Sequence, residues 1–175
     1  PNVWVKLEPS GDVVVSVAEA EIGQGTATGV AMLVADELDV DFARVRYQLA
    51  PVTPEYGSQS TGGSSSIRRG ADDLRRAGAT ARDMLLTAAA KDLGVAKTSL
   101  DTDKGEVVHA ASGRRVAYTT LLAAAAKLPV PSGVPLKTRA DYHLIGTATP
   151  RLDIPAKVDG SARFGIDVSI PEIGR

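Results

Sequence analysis

At 175 residues the chain suits one domain, or one domain with a stub, and is long enough to bury a real core. Its 20 basic and 21 acidic residues are mixed along the chain and leave a net charge of −1, so there is no general attraction to nucleic acid or to an anionic membrane. The absence of Cys excludes disulfides, iron–sulfur clusters and thiolate metal sites within the chain, and two His (His109 and His143) are too few for a protein-built zinc or non-haem iron site.

Val3-Trp4-Val5-Lys6-Leu7 alternates apolar and polar, Pro9-Ser10-Gly11-Asp12 makes a turn, and Val13-Val14-Val15-Ser16-Val17 follows; together they predict a β-hairpin. Thr26 through Leu38 predicts a helix with Val30, Leu33, Val34 and Leu38 on one face and Thr26 as N-cap. Arg44 through Leu49 predicts a third strand, and Pro51 through Ser60 a polar loop. The strongest helix signal is Ile67 through Leu93. Ile67, Ala71, Leu74, Gly78, Ala81, Leu85 and Ala88 recur at spacings of three and four, and Gly94 sits where a C-terminal cap belongs. The small residues Ala71, Gly78 and Ala81 on that stripe would let another element approach closely.

A small hairpin and helix unit follows over about 95–128. Ser99 through Thr102 and Glu106 through His109 flank the turn signal Asp103-Lys104-Gly105, and Ser112-Gly113-Arg114-Arg115 reads as a second turn. Thr119 or Thr120 then caps a short helix, Leu121 through Lys127, which Pro129 stops. Pro129 through Thr138 is a Pro-rich connector. From Asp159 the pattern turns β again, and Ala162 through Val168 reads as the first strand of a following domain. The class is α+β, with hairpins and long helices. The expected division is a domain over 1–145, then a linker and the start of the next domain over 146–175. No apolar run approaches the ~20 residues that span a bilayer. No leader is visible, and both ends read as cuts in a longer polypeptide.

Two small-residue loops open directly into predicted helices. The first is Glu21-Ile22-Gly23-Gln24-Gly25-Thr26, the second Thr61-Gly62-Gly63-Ser64-Ser65-Ser66. A helix start presents unpaired N–H groups and a positive dipole end, which suits an anion. Two in one small unit suggest a cradle for a large, polar, phosphate-bearing cofactor. Gly23 and Gly25 free the backbone to press on a ligand, and the Gln24 amide both donates and accepts. The plainer reading of the same residues is a β-to-α turn with a solvent-facing Gln. In the second loop Gly62 and Gly63 free the backbone and Ser64, Ser65 and Ser66 add hydroxyls. The plainer reading there is a Ser-rich helix cap, and Arg68 and Arg69 either add charge to the site or form a solvated helix face. Neither loop is a Rossmann or Walker A motif, because the required Gly spacing and the Gly-Lys-Ser/Thr ending are missing.

The acidic residues Glu19 and Glu21 straddle the first loop, and strand spacing would put both on one face; Asp36 and Glu37 lie on the following helix. A paired-carboxylate hydrolase would need two such groups to converge on a cleft. A charged strand end is the favoured reading. His109 and His143 are isolated and read as structural.

Both loops, in the stretches Ala18 through Gly25 and Thr61 through Ala81, together with Ile145 through Gly160, carry a family resemblance over nearly the whole chain. The sequence resembles the N-terminal part of the molybdopterin-binding large subunit of the xanthine dehydrogenase and aldehyde oxidase family, in its isoquinoline 1-oxidoreductase beta-subunit branch. The resemblance implies a molybdenum-cofactor-binding domain in a molybdenum hydroxylase, an oxidoreductase that hydroxylates an aldehyde or N-heterocycle with oxygen drawn from water. It implies molybdopterin with molybdenum, as the cytosine dinucleotide, contacted by the loops Gly23-Gln24-Gly25-Thr26 and Thr61 through Ser66. It further implies three partners: the remainder of the large subunit, a small iron–sulfur subunit and the small-molecule substrate. The catalytic base would lie elsewhere in the subunit, leaving this piece inactive by itself. The rival readings are a stand-alone phosphate-ligand-binding or assembly module without redox activity and, behind it, a small hydrolase using Glu19 and Glu21.

Overall fold

Alternating valines build the first layer. The computed structural model describes residues 2–169. In it β1 (Val5–Leu7) and β2 (Val13–Val17) form the predicted antiparallel hairpin, with Val5 opposite Val15 and Leu7 opposite Val13. Val13, Val15 and Val17 are buried, as the period of two in a strand requires when one face is covered. The covering element is α1 (Thr26–Leu38), whose bounds match the apolar spacing. β3 (Val45–Leu49) then pairs with β2 in parallel, Val15 lying opposite Tyr47. A parallel neighbour needs a crossover, and α1 is that crossover.

The long helix α2 (Ser66–Leu93) packs across α1. Gly78 makes the crossing possible. A Cβ built there would stand 2.4 Å from the Val34 carbonyl oxygen and 3.0 Å from Glu37 Cβ, so the two backbones meet where Gly78 has no side chain. α1 packs against both the sheet and α2 and is buried on nearly every side, its two acidic residues included. Gly94, at φ 67°, closes α2 and donates to the Ala90 carbonyl. The predicted stripe holds except at its first residue, since Ile67 is half-exposed.

A second sheet of three antiparallel strands follows: β4 (Asp101–Asp103), β5 (Glu106–His109) and β6 (Arg114–Ala117). Lys104 and Gly105 turn the first hairpin with φ of 46° and 89°, the backbone of a two-residue hairpin turn. β6 corrects the sequence reading, which put Arg114 and Arg115 in a turn. Arg115 instead lies opposite Val108, and its guanidinium bonds Asp103 at 2.6 Å and Glu106 at 2.7 Å across the sheet. Charged residues mask a strand in sequence when the face they occupy is solvated. The short helix also starts earlier than predicted. α3 (Tyr118–Ala125) has Ala117 at its N-cap and no side-chain cap, so Thr119 and Thr120 lie inside it. Buried Tyr118 donates to the Leu38 carbonyl at 3.0 Å, and this anchor to the end of α1 sets where the helix begins.

After the connector, α4 (Ile154–Val158) is a single short helix. The strand expected over Ala162–Val168 does not form. Gly165–Asp167 is a 3₁₀ turn, with the Asp167 carboxylate accepting from the Phe164 N–H at 2.9 Å. A strand needs a partner for its N–H and C=O groups, and none faces this segment among the described residues. The class is α+β, as the sequence implied. No helix among the described residues is long and apolar enough to cross a bilayer.

Candidate cofactor-binding site

Both predicted loops open at the same end of the molecule and meet. The Thr61 hydroxyl accepts from the Ala20 N–H at 2.8 Å, across 41 residues of sequence. Between them lies an open cleft of about 410 Å³ lined by Ile22, Gln24, Thr26, Thr61, Gly62, Ser64, Ser65, Ser66 and Ile67. Seven of the ten residues singled out in the sequence therefore share one concavity. The other three, Gly23, Gly25 and Gly63, are in the same two loops but do not line it.

The two helix starts behave differently. At α1 the cap is not Thr26, which is the first helical residue and is buried, but Gly25 at φ 81°. A left-handed cap has no side chain to satisfy the first turn, and Glu21 does so instead. Its Oε1 accepts from the Gly23 and Gly25 N–H groups at 2.8 and 3.0 Å, and its Oε2 from the Ala27 N–H at 2.9 Å. Burial pushes this carboxyl up. The three N–H donors and the nearby Arg151 outweigh burial and hold the pKa below the ordinary 4.5. Glu21 is thus neither on a strand face beside Glu19 nor available as an acid or base, since β2 ends at Val17. It takes the place that an anion would have occupied at α1.

At α2 no side chain caps the first turn. Gly63 and Ser64 adopt consecutive left-handed conformations, φ 60° and 52°, the latter uncommon for a residue with a side chain. Ser65 is buried and donates to the Gly62 carbonyl at 2.7 Å, so its hydroxyl holds the turn. Among the described residues Ser64 and Ser66 have no hydrogen-bond partner for their hydroxyls. The α2 start therefore offers N–H groups, two hydroxyls and the positive dipole end to the cleft. In the first loop, Gln24 Oε1 accepts from the Ile22 N–H at 2.6 Å and its Nε2 donates to the Ala20 carbonyl at 2.8 Å. This folds the amide over its own loop with one N–H still unused.

A segment far along the chain reaches the back of the first loop. Arg151 Nη1 donates to the Gly23 carbonyl at 2.8 Å, and Nη2 lies 3.5 Å from Glu21. The same guanidinium grips Asp153 with two bonds of 2.9 and 2.6 Å, and Lys157 reaches Asp153 at 2.5 Å. The hydrogen bonds from Arg151, with Lys157 adding to them, hold Asp153 well below the usual carboxylate range against its burial. The Leu152 N–H donates to Thr28 on α1 at 3.0 Å. Tyr47 of β3 faces the same cluster; burial raises its hydroxyl pKa, and Asp153 and Glu21 raise it further. Chain separations of more than a hundred residues hid these contacts from sequence reasoning, although Arg151 and Asp153 stand within one of the stretches that carries the family resemblance.

Asp36 and Glu37 sit at the other end of α1. Asp36 accepts from the N–H groups of His143, Leu144 and Ile145 at 2.9–3.3 Å. Glu37 pairs with Arg75 at 2.7 Å and accepts from the Lys137 N–H. Both carboxylates hold the connector in place and never converge with Glu19 or Glu21, so the hydrolase geometry is absent among the described residues. His109 bonds Ser112 in a surface turn at 2.7 Å, and His143 is exposed. No metal-binding cluster of His, Cys, Asp or Glu occurs among the described residues.

Residues 1–169 match the family model described as molybdopterin cofactor-binding domain. The chain is 35% identical to isoquinoline 1-oxidoreductase subunit beta of Brevundimonas diminuta, over 98% of its own length and 27% of that protein's. It is 32% identical to a membrane-bound aldehyde dehydrogenase [pyrroloquinoline-quinone] of Gluconacetobacter polyoxogenes, over 97% of its own length and 22% of that protein's. It spans about a quarter of the length of these curated relatives. In fold it is similar to quinoline 2-oxidoreductase of Pseudomonas putida 86, with a TM-score of 0.54 and 24% identity over 75% of this chain and 17% of that one.

Proposed function

Because the chain belongs to the molybdopterin cofactor-binding domain family, we propose that it holds its cofactor in the cleft between Gly23–Thr26 and Thr61–Ser66. One observation supports this most: two loops placed far apart in sequence line one concavity that contains no titratable side chain. Such a cleft binds and orients, and does not move protons. The residues fit the group. Gln24 and Thr26 offer amide and hydroxyl to the polar edge of a pterin. The uncapped α2 start, with Ser64 and Ser66, suits the phosphate end. Glu21 already fills the corresponding position at α1, which favours the second loop for the phosphate and the first for the non-ionic part of the ligand. The cytosine dinucleotide is the form we propose.

The whole protein is then a molybdenum hydroxylase acting on an aldehyde or N-heterocycle, with the rest of the large subunit and a small iron–sulfur subunit as partners. When bound, the molybdenum centre supplies the oxidation, with the oxygen drawn from water. This chain contributes binding and loop geometry. The proton acceptor comes from another part of the subunit, and residues 146–175 serve as linker and start of the next domain.

The test is metal and nucleotide analysis of the full-length polypeptide, produced with its small subunit, for wild type, Gln24→Ala and Gly63→Val. Gly63 sits at φ 60°, where a β-branched residue is strongly disfavoured. Molybdenum with CMP released by acid, both reduced in the two variants, is the expected result, and it separates this reading from a quinone cofactor. Folded wild type without molybdenum, from a host shown to make the cofactor, would overturn it in favour of a stand-alone phosphate-ligand module.

A further inference from the structure

We propose that Arg151 is a positioning residue: it clamps the Gly23–Gly25 loop from behind and so sets Gln24 in the cleft. The inference rests on the cofactor reading above and adds a residue that does not line the cleft. Its guanidinium carries five N–H donors and makes four contacts that serve two tasks. Nε and Nη2 form the bidentate pair with Asp153, which fixes the plane of the group. With the plane fixed, Nη1 meets the Gly23 carbonyl at 2.8 Å and Nη2 faces Glu21 at 3.5 Å. Glu21 in turn holds the N–H groups of Gly23, Gly25 and Ala27. The Gly23 carbonyl is thus tied to Arg151 directly, and the Gly23, Gly25 and Ala27 N–H groups are tied to it through Glu21.

Glu21 and Gln24 bond the loop locally, but both are its own side chains, and only Arg151 ties it to a distant part of the chain. Gly23 at φ 101° and Gly25 at φ 81° have the least intrinsic preference of any residue type for one conformation. A Cβ at Gly25 would lie 3.7 Å from the guanidinium carbon, so the Arg151 side chain also covers the loop sterically. The segment carrying Arg151 is itself docked: the Leu152 N–H bonds Thr28, and Lys157 shares Asp153 with Arg151. Cleft-side residues Ile22, Gln24 and Thr26 alternate with the clamped Gly23 and Gly25. Holding the second set aims the first.

The experiment compares Arg151→Ala, Arg151→Lys and Asp153→Asn with Gln24→Ala in the full-length polypeptide produced with its small subunit. Two quantities are read: hydrogen–deuterium exchange of peptides covering 18–28 against those covering 30–38, and molybdenum per folded protein. The clamp predicts at least tenfold faster exchange in 18–28 for Arg151→Ala, no change in 30–38, and a several-fold loss of molybdenum. Arg151→Lys keeps a donor for Gly23 but loses the bidentate pair, so it recovers part of both. Asp153→Asn behaves as Arg151→Lys does and serves in its place should Arg151→Ala not fold. Unchanged exchange in 18–28 overturns the clamp. Faster exchange with full molybdenum overturns its role in cofactor binding, provided Gln24→Ala loses the metal. Full molybdenum in Gln24→Ala as well would instead refute the cofactor reading of the cleft.

Discussion

A carboxylate at residue 21 decides how the first loop is used. Side-chain caps come usually from the residue before the helix, yet here Gly25 holds that position and Glu21 reaches over four residues to replace the missing acceptor. Its depressed pKa makes this a pH-dependent contribution. A group with a lowered folded-state pKa stabilises fully above its unfolded pKa and loses that contribution as the pH falls through the folded value. Glu21→Gln is expected to cost about 1–2 kcal/mol at pH 7, the scale of a lost cap with hydrogen bonds. Below both pKa values the gap to wild type should close. Urea midpoints measured from pH 3 to pH 7 for both proteins check this; a gap that persists unchanged to pH 3 would refute the electrostatic part. Asp153, also held low, adds to the same acid limb in both proteins and cancels in the comparison.

At the scale of elements the α1–α2 crossing carries most of the packing. Gly78 is in mid-helix, where Gly is disfavoured against Ala by about 1 kcal/mol. On propensity alone Gly78→Ala would stabilise. The Cβ at 2.4 Å from a backbone carbonyl reverses the sign, because backbone cannot step aside as a side chain can. The helices must separate, and a net loss of about 1–3 kcal/mol is expected. Gly70→Ala is the control. Its Cβ would meet only the Leu74 side chain, at 3.3 Å from Cδ1, so the propensity gain should survive and the effect should run from neutral to stabilising by about 1 kcal/mol. Thermal unfolding of the two variants side by side gives the answer, and equal midpoints would contradict the close crossing.

For the molecule as a whole, buried ion pairs hold the long connector. Glu37 is fully buried against Arg75, with Arg82 at 3.9 Å, and Arg75 also donates to the Lys137 carbonyl at 2.6 Å and lies 5.2 Å from the Tyr142 ring centre. Lys137 donates to the Asp36 carbonyl at 2.6 Å. Removing one member leaves the others buried without a counter-charge, which costs about 3–5 kcal/mol. Glu37→Gln should therefore lower stability by roughly that amount and loosen the connector around Lys137, where Glu37 accepts from the backbone N–H. Limited trypsin digestion is the sensitive readout, with new early cleavage after Lys137 or Arg139. Protection equal to wild type would show that the connector is held by other contacts.

Local signals were legible without any structure. The hairpin of β1 and β2, the bounds of α1, the length of α2, its Gly94 stop and the need for a small residue at Gly78 all follow from periodicity and turn chemistry, which act over a few residues. Each loop of the candidate cleft was legible for the same reason, since Gly and Ser before a helix start are a local pattern. The sequence alone could not say that one helix start would be filled by Glu21 and the other left open. Nor could it show that Arg151 would close on Gly23, that Asp36 and Glu37 would be buried supports, or that Arg114 and Arg115 would form a strand. Those outcomes depend on groups brought together from distant parts of the chain. A charged residue reads as solvated until its partner is known, and only the tertiary structure supplies the partner.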